Sequence, residues 1–518
     1  MSKQIRNIGV FLAVCYAALF FQVNRLTIFQ ADELKDNPAN NREVERDFSS
    51  PRGSIITADG VIVARSVASN DQYKLQRQYP TGELFAHVTG YFAFELGAAG
   101  LERSYNDDLA GRTIDFDLRR LSDLFVDRER VGDLTLSMRN DLQEVARQEL
   151  GQREGSVVAL DPRNGEILAL WSFPSYDPNA LADHNFDAAE QVAALLNADP
   201  EKPTLARSYQ ENFFPGSTFK IVTAAAGVER GDVNEDEPVY PERQAYQPIS
   251  ANGNPVGSPV PNFGGSTCGG ALFPILQASC NSAFAQMGAE DVGADAMIDG
   301  AEAFGFNQDV PIDLPRPTRS TFPTEVDGTP LSQNPAVVAQ LAIGQNDVRS
   351  TPLQMALVAA AVANGGEIMA PHVVREVRDD QGEVVDTIDA DDVWTQAMSG
   401  GTADLLRRGM ISVVEDGTAS RLDEGLGGFE VGGKTGTAQI GSTDSSHAWI
   451  IGFAGPPGEA PSVAVAVIVE GQPGVSEQTG GRVAAPIAAA VMRQALEQPA
   501  APADQESGDS ESGDSDDA

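Results

Sequence analysis

Strand-forming segments lie at both ends of the region that follows residue 153, and this arrangement constrains the fold more than any other sequence feature. At its start, "GSVVALDPRNGEILALWSF" predicts two strands joined by an Asn164-Gly165 turn. At its end, "FEVGGKTGTAQI", "SHAWIIGFAG" and "PSVAVAVIVEG" predict three more, followed by a helix in "GRVAAPIAAAVMRQALEQ". The residues between are mostly helical by apolar spacing, as in "TPLQMALVAAAVANGG". The pattern favours a mixed α/β fold of the α+β type, with one central antiparallel sheet flanked by helices.

A smaller unit precedes this region. "RGSIITADGVIVARSV" predicts short strands with an Asp59-Gly60 hairpin turn, and "DLTLSMRNDLQEVARQELG" predicts a strand and a helix that ends at Gly151. With 518 residues, the chain is too long for one ordinary domain. We therefore expect one domain over residues 25–152 and a second over residues 153–498.

The N-terminus predicts a membrane anchor. Residues 8–24 are mostly apolar, and the run is close in length to a membrane-spanning helix. No small-residue cleavage site follows it, which favours an uncleaved, single-pass signal anchor. Lys3 and Arg6 precede the run and favour a cytoplasmic location for residues 1–7, with the rest of the chain outside the cytoplasm.

Charge narrows the possible partners. The formal net charge is −39, which argues against nucleic acid and anionic membrane surfaces because both would repel the chain. The final stretch, "ADQESGDSESGDSDDA", has almost no apolar side chain to bury. Residues 499–518 are therefore predicted to form a disordered acidic tail.

Lysine is rare in this chain, and one of its six lysines follows a serine at a spacing that suits catalysis. Ser217 and Lys220, in "PGSTFK", lie three residues apart at a predicted helix start, so the hydroxyl and the amine share one face. A serine hydroxyl becomes a useful nucleophile when a neighbour takes its proton. A lysine of lowered pKa can do so, whereas an arginine stays protonated. A Ser-x-x-Lys pattern alone is a weak signal.

Lys434 begins a rarer motif, Lys434-Thr435-Gly436-Thr437. The same lysine completes a formal match to the P-loop pattern G-x-x-x-x-G-K-[ST]. A P-loop follows a buried strand and opens a helix, whereas "SRLDEGLG" before and "TGTAQIGSTDSSHAW" after this lysine predict neither. We therefore favour a Lys-Thr-Gly strand.

Four Ser-x-Asn triplets compete for the third element of the same site. They begin at Ser104, Ser250, Ser279 and Ser332. The first precedes the candidate nucleophile, the second lies in a Pro/Gly-rich loop, and the fourth is followed directly by proline. The third ends at Asn281 and joins the apolar helical segments "ALFPILQA" and "SAFAQMGA" in a short connection that can hold two side chains over a cleft. We predict that this triplet belongs to the site.

In their order along the chain, the Ser-x-x-Lys, Ser-x-Asn and Lys-Thr-Gly motifs resemble those of the penicillin-recognising serine transpeptidases. "RGSIITADG", "GLERSYNDDLAG", "FPSYDPN", "SCNSAF" and "HAWIIGFAG" are further similar to class B penicillin-binding proteins, and most of all to their actinobacterial subgroup. The resemblance covers residues 40–497. It implies the penicillin-binding transpeptidase fold for residues 153–498 and an elongated pedestal, of the penicillin-binding protein dimerisation type, for residues 25–152.

The resemblance implies a D,D-transpeptidase that cross-links peptidoglycan stem peptides through a serine acyl-enzyme with release of D-Ala. Ser217 would attack the penultimate D-Ala with Lys220 as general base, and β-lactams would acylate the same serine. Ser279 would pass a proton to the departing D-Ala, and Asn281 would hold the peptide amide. The backbone N–H groups of Ser217 and Thr437 would form the oxyanion hole. No cofactor and no metal are implied.

The resemblance also assigns the end of the substrate to the Lys-Thr-Gly strand. Thr435 and Thr437, on either side of Gly436, would bind the terminal carboxylate. Lys434 would supply positive potential that helps to keep Lys220 neutral. The implied partners are lipid II-derived glycan strands, β-lactams and, through the pedestal, a membrane-embedded glycan polymerase of the shape, elongation, division and sporulation type.

Other activities have less support in the sequence. A class A β-lactamase carries a deacylating Glu-x-x-x-Asn, which we do not find between Asn281 and Lys434, and class D enzymes have Val where Asn281 stands. A D,D-carboxypeptidase differs only in using water as the acceptor and stays open. A non-catalytic scaffold or β-lactam sensor is disfavoured because Ser217, Lys220 and Lys434 are all intact in a chain poor in lysine, which argues against a decayed site. A Ser-His-Asp hydrolase is disfavoured because the chain has no G-x-S-x-G and only four histidines, of which His447 is expected to pack beside the Lys-Thr-Gly strand.

Cys268 and Cys280 are the only cysteines beyond the predicted anchor. An exported protein meets an oxidising environment, where an even count invites pairing. Cys280 lies inside the predicted Ser-x-Asn triplet and Cys268 lies in "FGGSTCGGALF" just upstream, so a disulfide would fix the position of the motif. Two buried thiols are the alternative, since Cys is among the most buried residue types.

Overall fold

The computed structural model of the chain describes residues 2–25, 48, 50–113, 131–388, 392–439, 446–471 and 478–497. Two main sheets, with helices packed against them, account for most of these residues. The predicted acidic tail, residues 499–518, lies outside the described residues.

Short strands are common in the first half of the chain and long ones lie near its end. The strands are β1 Ile55–Ile56, β2 Ile62–Ala68, β3 Leu75–Gln78, β4 Phe92–Ala93, β5 Gly97–Ala98, β6 Asp133–Leu136, β7 Gly155–Leu160, β8 Ile167–Phe173, β9 Tyr240–Arg243, β10 Ala245–Tyr246, β11 Val260–Pro261, β12 Cys268–Gly270, β13 Glu325–Val326, β14 Thr329–Pro330, β15 Glu367–Met369, β16 Val374–Arg378, β17 Val384–Thr387, β18 Val393–Gln396, β19 Glu430–Gln439, β20 Ser446–Gly455 and β21 Val463–Val469.

Helices fill much of the region between β8 and β19. The α-helices are α1 Ser2–Asn24, α2 Ala86–Thr89, α3 Gly100–Ser104, α4 Asn106–Leu109, α5 Asn140–Leu150, α6 Phe186–Ala198, α7 Arg207–Gln210, α8 Lys220–Glu229, α9 Leu272–Gln277, α10 Asn281–Gln286, α11 Ala294–Ala303, α12 Pro335–Leu341, α13 Pro352–Ala363, α14 Gly400–Asp416 and α15 Ala485–Leu496.

The central sheet has five antiparallel strands in the order β19-β20-β21-β7-β8. Its members come from the two ends of the second unit, as the sequence predicts. The turn between β7 and β8 contains Gly165 at φ +80°, which suits glycine in a tight hairpin. Because the first and last parts of the unit share one sheet, the helices between them are brought back over its surface.

Helices cover both faces of this sheet. All seven residues of β21 are buried, although their side chains alternate between the two faces. Helix α13 contacts β20, β21 and β7 and also packs on α14, whereas α5 and α15 contact each other and the sheet. The two groups of helices therefore lie on opposite faces, and the fold is the predicted mixed α/β arrangement.

The second main sheet has six strands in the order β17-β16-β6-β1-β2-β3. Its hairpin β1–β2 turns at Gly60, φ +82°, as predicted. Strands β16 and β17 come from the second unit, and β16 pairs antiparallel with β6. The predicted boundary between residues 152 and 153 therefore does not separate the two sheets, because strand pairing joins residues that are far apart in sequence.

Two segments that carry the family resemblance, "RGSIITADG" and "GLERSYNDDLAG", meet in a buried cluster of ion pairs. Glu102, in "GLERSYNDDLAG", accepts from Arg52 Nε at 2.5 Å and from Arg77 Nε at 2.6 Å. All three side chains are at most 2% exposed. The hydroxyl of Tyr79 lies 3.3 Å from the same carboxylate. Breaking such a pair leaves a buried charge uncompensated, so these residues support the first unit rather than a catalytic site.

Helix α1 agrees with the predicted anchor. Its part Arg6–Asn24 has a mean hydropathy of 1.6 and is the one stretch of the described residues that is long and apolar enough to cross a membrane as a helix. None of that stretch is buried against the rest of the described chain. By length and composition, this helix suits a single-pass membrane anchor at the N-terminus.

Candidate active site

Ser217 and Lys220 lie where a 3₁₀ turn, Gly216–Phe219, runs into helix α8. The sequence predicts a single helix here, and the structure replaces its first turn by the tighter form. Residues i and i+3 eclipse each other in a 3₁₀ turn, so the serine and the lysine still share one side. Gly216 has φ +54° and donates its N–H to the carbonyl oxygen of Gly344 at 2.9 Å. A side chain would be strained at that φ, so glycine precedes the candidate nucleophile.

The predicted Ser-x-Asn triplet connects helices α9 and α10. Ser279 has φ +51°, a conformation that costs energy for a residue with a side chain and that clusters at active sites. Cys280 holds the turn by donating its N–H to the carbonyl oxygen of Ile275 at 2.9 Å. Asn281 starts α10, and its Nδ2 donates to the carbonyl oxygen of Pro261 at 2.9 Å. The connection is therefore a fixed support for two polar side chains.

Two lysine amines meet at this connection. Lys220 Nζ donates to the carbonyl oxygen of Ser279 and to Asn281 Oδ1, both at 2.7 Å, and contacts Ser279 Oγ at 3.3 Å. Lys434 Nζ donates to Ser279 Oγ at 2.7 Å and to the carbonyl oxygen of Thr435 at 3.0 Å. The three sequence motifs, which lie far apart along the chain, thus meet at one serine hydroxyl.

Burial lowers the proton affinity of both amines. Lys220 and Lys434 are 0% exposed. Burial lowers the pKa of Lys220 well below its ordinary value, and the charge of Lys434 lowers it further. Burial lowers the pKa of Lys434 to about 7. Their hydrogen-bond partners are neutral oxygens, which do not offset the cost of burying a charge as a carboxylate would. The site favours an uncharged amine at Lys220.

The Lys-Thr-Gly motif lies in strand β19, which continues to residue 439 and therefore cannot open a helix as a P-loop does. Gly436 is required by packing. An added Cβ there would lie 2.9 Å from the Cβ of Trp449 and 3.0 Å from both the carbonyl oxygen of Pro215 and Cγ2 of Thr218. The missing side chain lets the strand approach the turn that carries Ser217.

The motifs border one cavity of about 1090 Å³. The predicted site residues that line it are Ser217, Ser279, Asn281, Thr435 and Thr437. Arg421 and Arg482 line it as well, and none of its described lining residues is Asp or Glu, in a chain that has 75 acidic residues. This composition suits an anionic ligand. Within the described residues, no three His, Cys, Asp or Glu side chains are grouped as a metal site requires.

The other three Ser-x-Asn triplets lie away from the two lysines. Ser104 and Ser332 are exposed at the surface, and Ser250 bonds within its own loop, to the carbonyl oxygen of Asn254. None of these three lines the cavity. Of the four candidates, the structure brings Ser279 to the lysines.

We expect Ser279→Ala to slow acylation by penicillin about 100-fold or more, because the hydroxyl that the family resemblance implies as a proton carrier is lost. Ser250→Ala and Ser332→Ala are matched controls and should acylate at the wild-type rate. The measurement is the second-order rate constant of labelling with a fluorescent penicillin. Equal sensitivity at Ser250 would mean that the triplet is wrongly assigned.

Some residues at the cavity carry no sequence motif. Thr418 places its Oγ1 2.7 Å from Thr435 Oγ1. Gly480 approaches strand β20 so closely that an added Cβ would lie 1.8 Å from the carbonyl oxygen of Trp449, and one at Gly481 would lie 2.4 Å from that of Thr418. The Gly-Gly pair before a helix is a signal that could have indicated this close approach. No spacing rule indicated Thr418.

His447 packs beside the Lys-Thr-Gly strand, as the sequence predicts. It pairs with Ala438 across β19 and β20, and its ring meets that of Phe213 edge-on. Burial lowers the pKa of His447 to about 4, so it is neutral at physiological pH. Its Nδ1 accepts from the backbone N–H of Gly471 at 3.2 Å, which is a packing role.

A disulfide joins Cys268 to Cys280, with their Cα atoms 5.9 Å apart. Cys268 lies in β12, which pairs with β9, and Cys280 lies between the two polar residues of the Ser-x-Asn triplet. The bond therefore ties the connection between α9 and α10 to a neighbouring strand. The sequence leaves paired cysteines and buried thiols as alternatives, and the structure has the pair.

We expect Cys268→Ala to lower the free energy of unfolding by about 3 kcal/mol. The disulfide restricts the unfolded chain, and the loss of this restriction raises the entropy of the unfolded state. Denaturant unfolding of protein exported under oxidising conditions measures the change. Cys15→Ala, in the anchor helix, is the matched control and should unfold like the wild type. Two free thiols in a non-reduced digest would contradict the pairing.

Comparison with known protein families finds two models that match. A penicillin-binding protein transpeptidase domain matches residues 155–493, and a penicillin-binding protein A dimerisation domain matches residues 52–134. The peptidoglycan D,D-transpeptidase PbpA of Mycobacterium tuberculosis is 34% identical over 513 residues, which cover 96% of this chain and 99% of that protein. PbpA of Mycolicibacterium smegmatis is also 34% identical and is covered over its full length.

Solved structures of a penicillin-binding protein are also similar to this chain. The imipenem acyl-enzyme complex of penicillin-binding protein A from M. tuberculosis superposes with a TM-score of 0.77 at 33% identity, covering 87% of this chain and all of that one. A ceftriaxone acyl-enzyme complex of the same protein has the same TM-score at 34% identity. In both complexes the neighbour is an acyl-enzyme.

Proposed function

The chain belongs to the penicillin-binding protein transpeptidase family, and from that premise we propose which of its residues carry out the reaction. It is a peptidoglycan D,D-transpeptidase of cell-wall synthesis that works through a serine acyl-enzyme and is a β-lactam target. The observation that carries the assignment of residues is the meeting of Lys220, Asn281 and Lys434 around Ser279, at a cavity that Ser217 also lines.

Ser217 is the nucleophile and Lys220 its general base. A neutral amine has two N–H groups and one lone pair, and Lys220 has two acceptors at 2.7 Å, the carbonyl oxygen of Ser279 and Oδ1 of Asn281. With both N–H groups used, the lone pair remains for the proton of the Ser217 hydroxyl, three residues away on the same turn. The serine oxygen then bonds to the carbonyl carbon of the penultimate D-Ala.

The negative charge that develops on the substrate oxygen is stabilised by backbone donors. We assign this role to the N–H groups of Ser217 and Thr437, on the turn and the strand that Gly436 brings together. As the peptide C–N bond breaks, Ser279 gives its proton to the departing D-Ala nitrogen. The proton held by Lys220 returns to Ser279 Oγ, 3.3 Å away, so that protons balance over the step.

The acyl group then passes to an acceptor. An amine from a second stem peptide attacks the ester of Ser217 and forms the cross-link, whereas attack by water would release a shortened stem. Asn281 holds the amide of the donor peptide. The terminal carboxylate binds to the hydroxyls of Thr435 and Thr437, supported by the positive potential of Lys434.

Membership of the family also supports an assignment of the domains, of the membrane topology and of the partner. We assign residues 8–24 to a signal anchor with residues 1–7 in the cytoplasm, residues 25–152 to the pedestal and residues 153–498 to the transpeptidase domain, outside the cytoplasm. The pedestal contacts a membrane-embedded glycan polymerase that supplies the strands to be cross-linked. Photo-cross-linking in cells from Ile62, which is exposed in β2, tests this contact, and capture of no polymerase would contradict it.

Labelling with a fluorescent penicillin tests the assignment of residues. Full-length protein in detergent is incubated with the probe, digested and mapped by mass spectrometry. We expect one acylated residue, Ser217, and label on any other serine would overturn the assignment. A donor peptide ending in D-Ala-D-Ala, offered with and without an amine acceptor, then separates cross-linking from hydrolysis by the mass of the product.

A further inference from the structure

The hydroxyl of Thr418 meets the hydroxyl of Thr435 at the end of the cavity assigned to the substrate carboxylate. The two oxygens are 2.7 Å apart, and both residues line the cavity. We propose that Thr418 is a positioning residue that turns the Thr435 hydroxyl toward the carboxylate of the substrate or the β-lactam. The inference rests on the proposed function, since it takes Thr435 as a carboxylate ligand.

Three neighbours fix the position of Thr418. Its N–H donates to the carbonyl oxygen of Gln277, the last residue of helix α9, at 3.2 Å. Gly417 packs on the same residue so closely that an added Cβ would lie 2.9 Å from that carbonyl oxygen. On the other side, the backbone of Gly481 lies against the carbonyl oxygen of Thr418. Thr418 therefore lies between the support of the Ser279 connection and the Lys-Thr-Gly strand.

The number of protons available gives the direction of the hydrogen bond between the Thr418 and Thr435 hydroxyls. A threonine hydroxyl has one proton to donate and two lone pairs, and a carboxylate only accepts. If Thr435 donates its proton to the carboxylate, its oxygen must accept from Thr418. With ligand bound, the order is then Thr418 O–H to Thr435 Oγ1, and Thr435 O–H to the carboxylate. Chains of this kind polarise each other, so the first donor strengthens the second.

The alternative direction works against binding. A Thr435 hydroxyl that donates to Thr418 presents only lone pairs to the carboxylate and repels it. Without the Thr418 donor, no hydrogen bond from Thr418 fixes the direction of the Thr435 O–H, and binding must select one orientation of that hydroxyl. Thr418 thereby favours anionic ligands at this end of the cavity without needing to contact them.

A double-mutant cycle tests the inference in the full-length protein. Thr418→Val keeps the branched shape and removes the donor, and we expect its second-order rate constant of acylation by benzylpenicillin to fall roughly tenfold. Thr418→Ser restores the donor and should restore the rate. Thr435→Val should itself be slow, and adding Thr418→Val to it should cause no further loss, because the first residue acts through the second. Thr395→Val, which loses a hydroxyl bonded to a main-chain carbonyl far from the cavity, is the matched control.

Three results would contradict the inference. A wild-type rate in Thr418→Val would overturn the inference. A tenfold further loss on the Thr435→Val background would also overturn it, because Thr418 would then act on the ligand or the fold directly. A wild-type protein that benzylpenicillin does not acylate at Ser217 would refute the proposed function, and this inference with it.

Discussion

Ser217→Ala is expected to abolish labelling by penicillin and formation of cross-linked product. The alanine variant keeps the cavity, both lysines and the strand, but it has no oxygen that can form the ester. The second-best hydroxyl, Ser279, accepts a hydrogen bond from Lys434 at 2.7 Å, and we have assigned it the role of proton carrier. A residual acyl-enzyme is therefore not expected, and gel fluorescence after overnight incubation measures it.

The control for this variant is Ser420→Ala. Ser420 lines the same cavity but belongs to none of the three motifs, so its loss should leave labelling unchanged. Thermal unfolding should be alike for both variants and the wild type, because Ser217 is only partly buried. Label that persists on folded Ser217→Ala would show that another residue is the nucleophile.

Local sequence patterns predicted most of the central sheet. The turn at Asn164-Gly165, the three consecutive strands near the end and the final helix depend on residues close together in sequence, and each is present. Strands β16 and β17 were not predicted as part of the six-stranded sheet. Alternation of apolar residues indicates a strand but does not name its partner, and β16 pairs with β6, more than 200 residues earlier.

The sequence indicated those cavity residues that belong to a motif of fixed spacing. It did not indicate those that belong to no motif. The Ser279 triplet could be selected because two flanking helices make it a short, rigid connection. Thr418 and the turn at Gly480–Gly481 reach the cavity only through the tertiary fold, and a threonine after a helix is common. The scarcity of lysine was informative for a physical reason, since arginine cannot give up its proton and lysine can.

Lys220→Arg is expected to reduce acylation by about 100-fold or more, although the positive charge is kept. Arginine stays protonated at any useful pH, so it cannot take the proton of Ser217. It is also larger, in a position that is 0% exposed. Lys202→Arg, at an exposed lysine, is the matched control and should leave the rate unchanged.

The pH dependence of acylation separates loss of the base from loss of the fold. Because burial and the charge of Lys434 lower the pKa of Lys220, the wild-type rate should rise with pH as Lys220 loses its proton, and should level off well below pH 10.5, the ordinary pKa of lysine. Lowering the pH protonates the amine and removes activity, with the folded protein unchanged. The Lys220→Arg variant should lack this rise, since a guanidinium does not titrate in that range. Stopped-flow acylation from about pH 5 to about pH 9 measures both profiles. A rise of equal size in the arginine variant would mean that a group other than Lys220 accepts the proton.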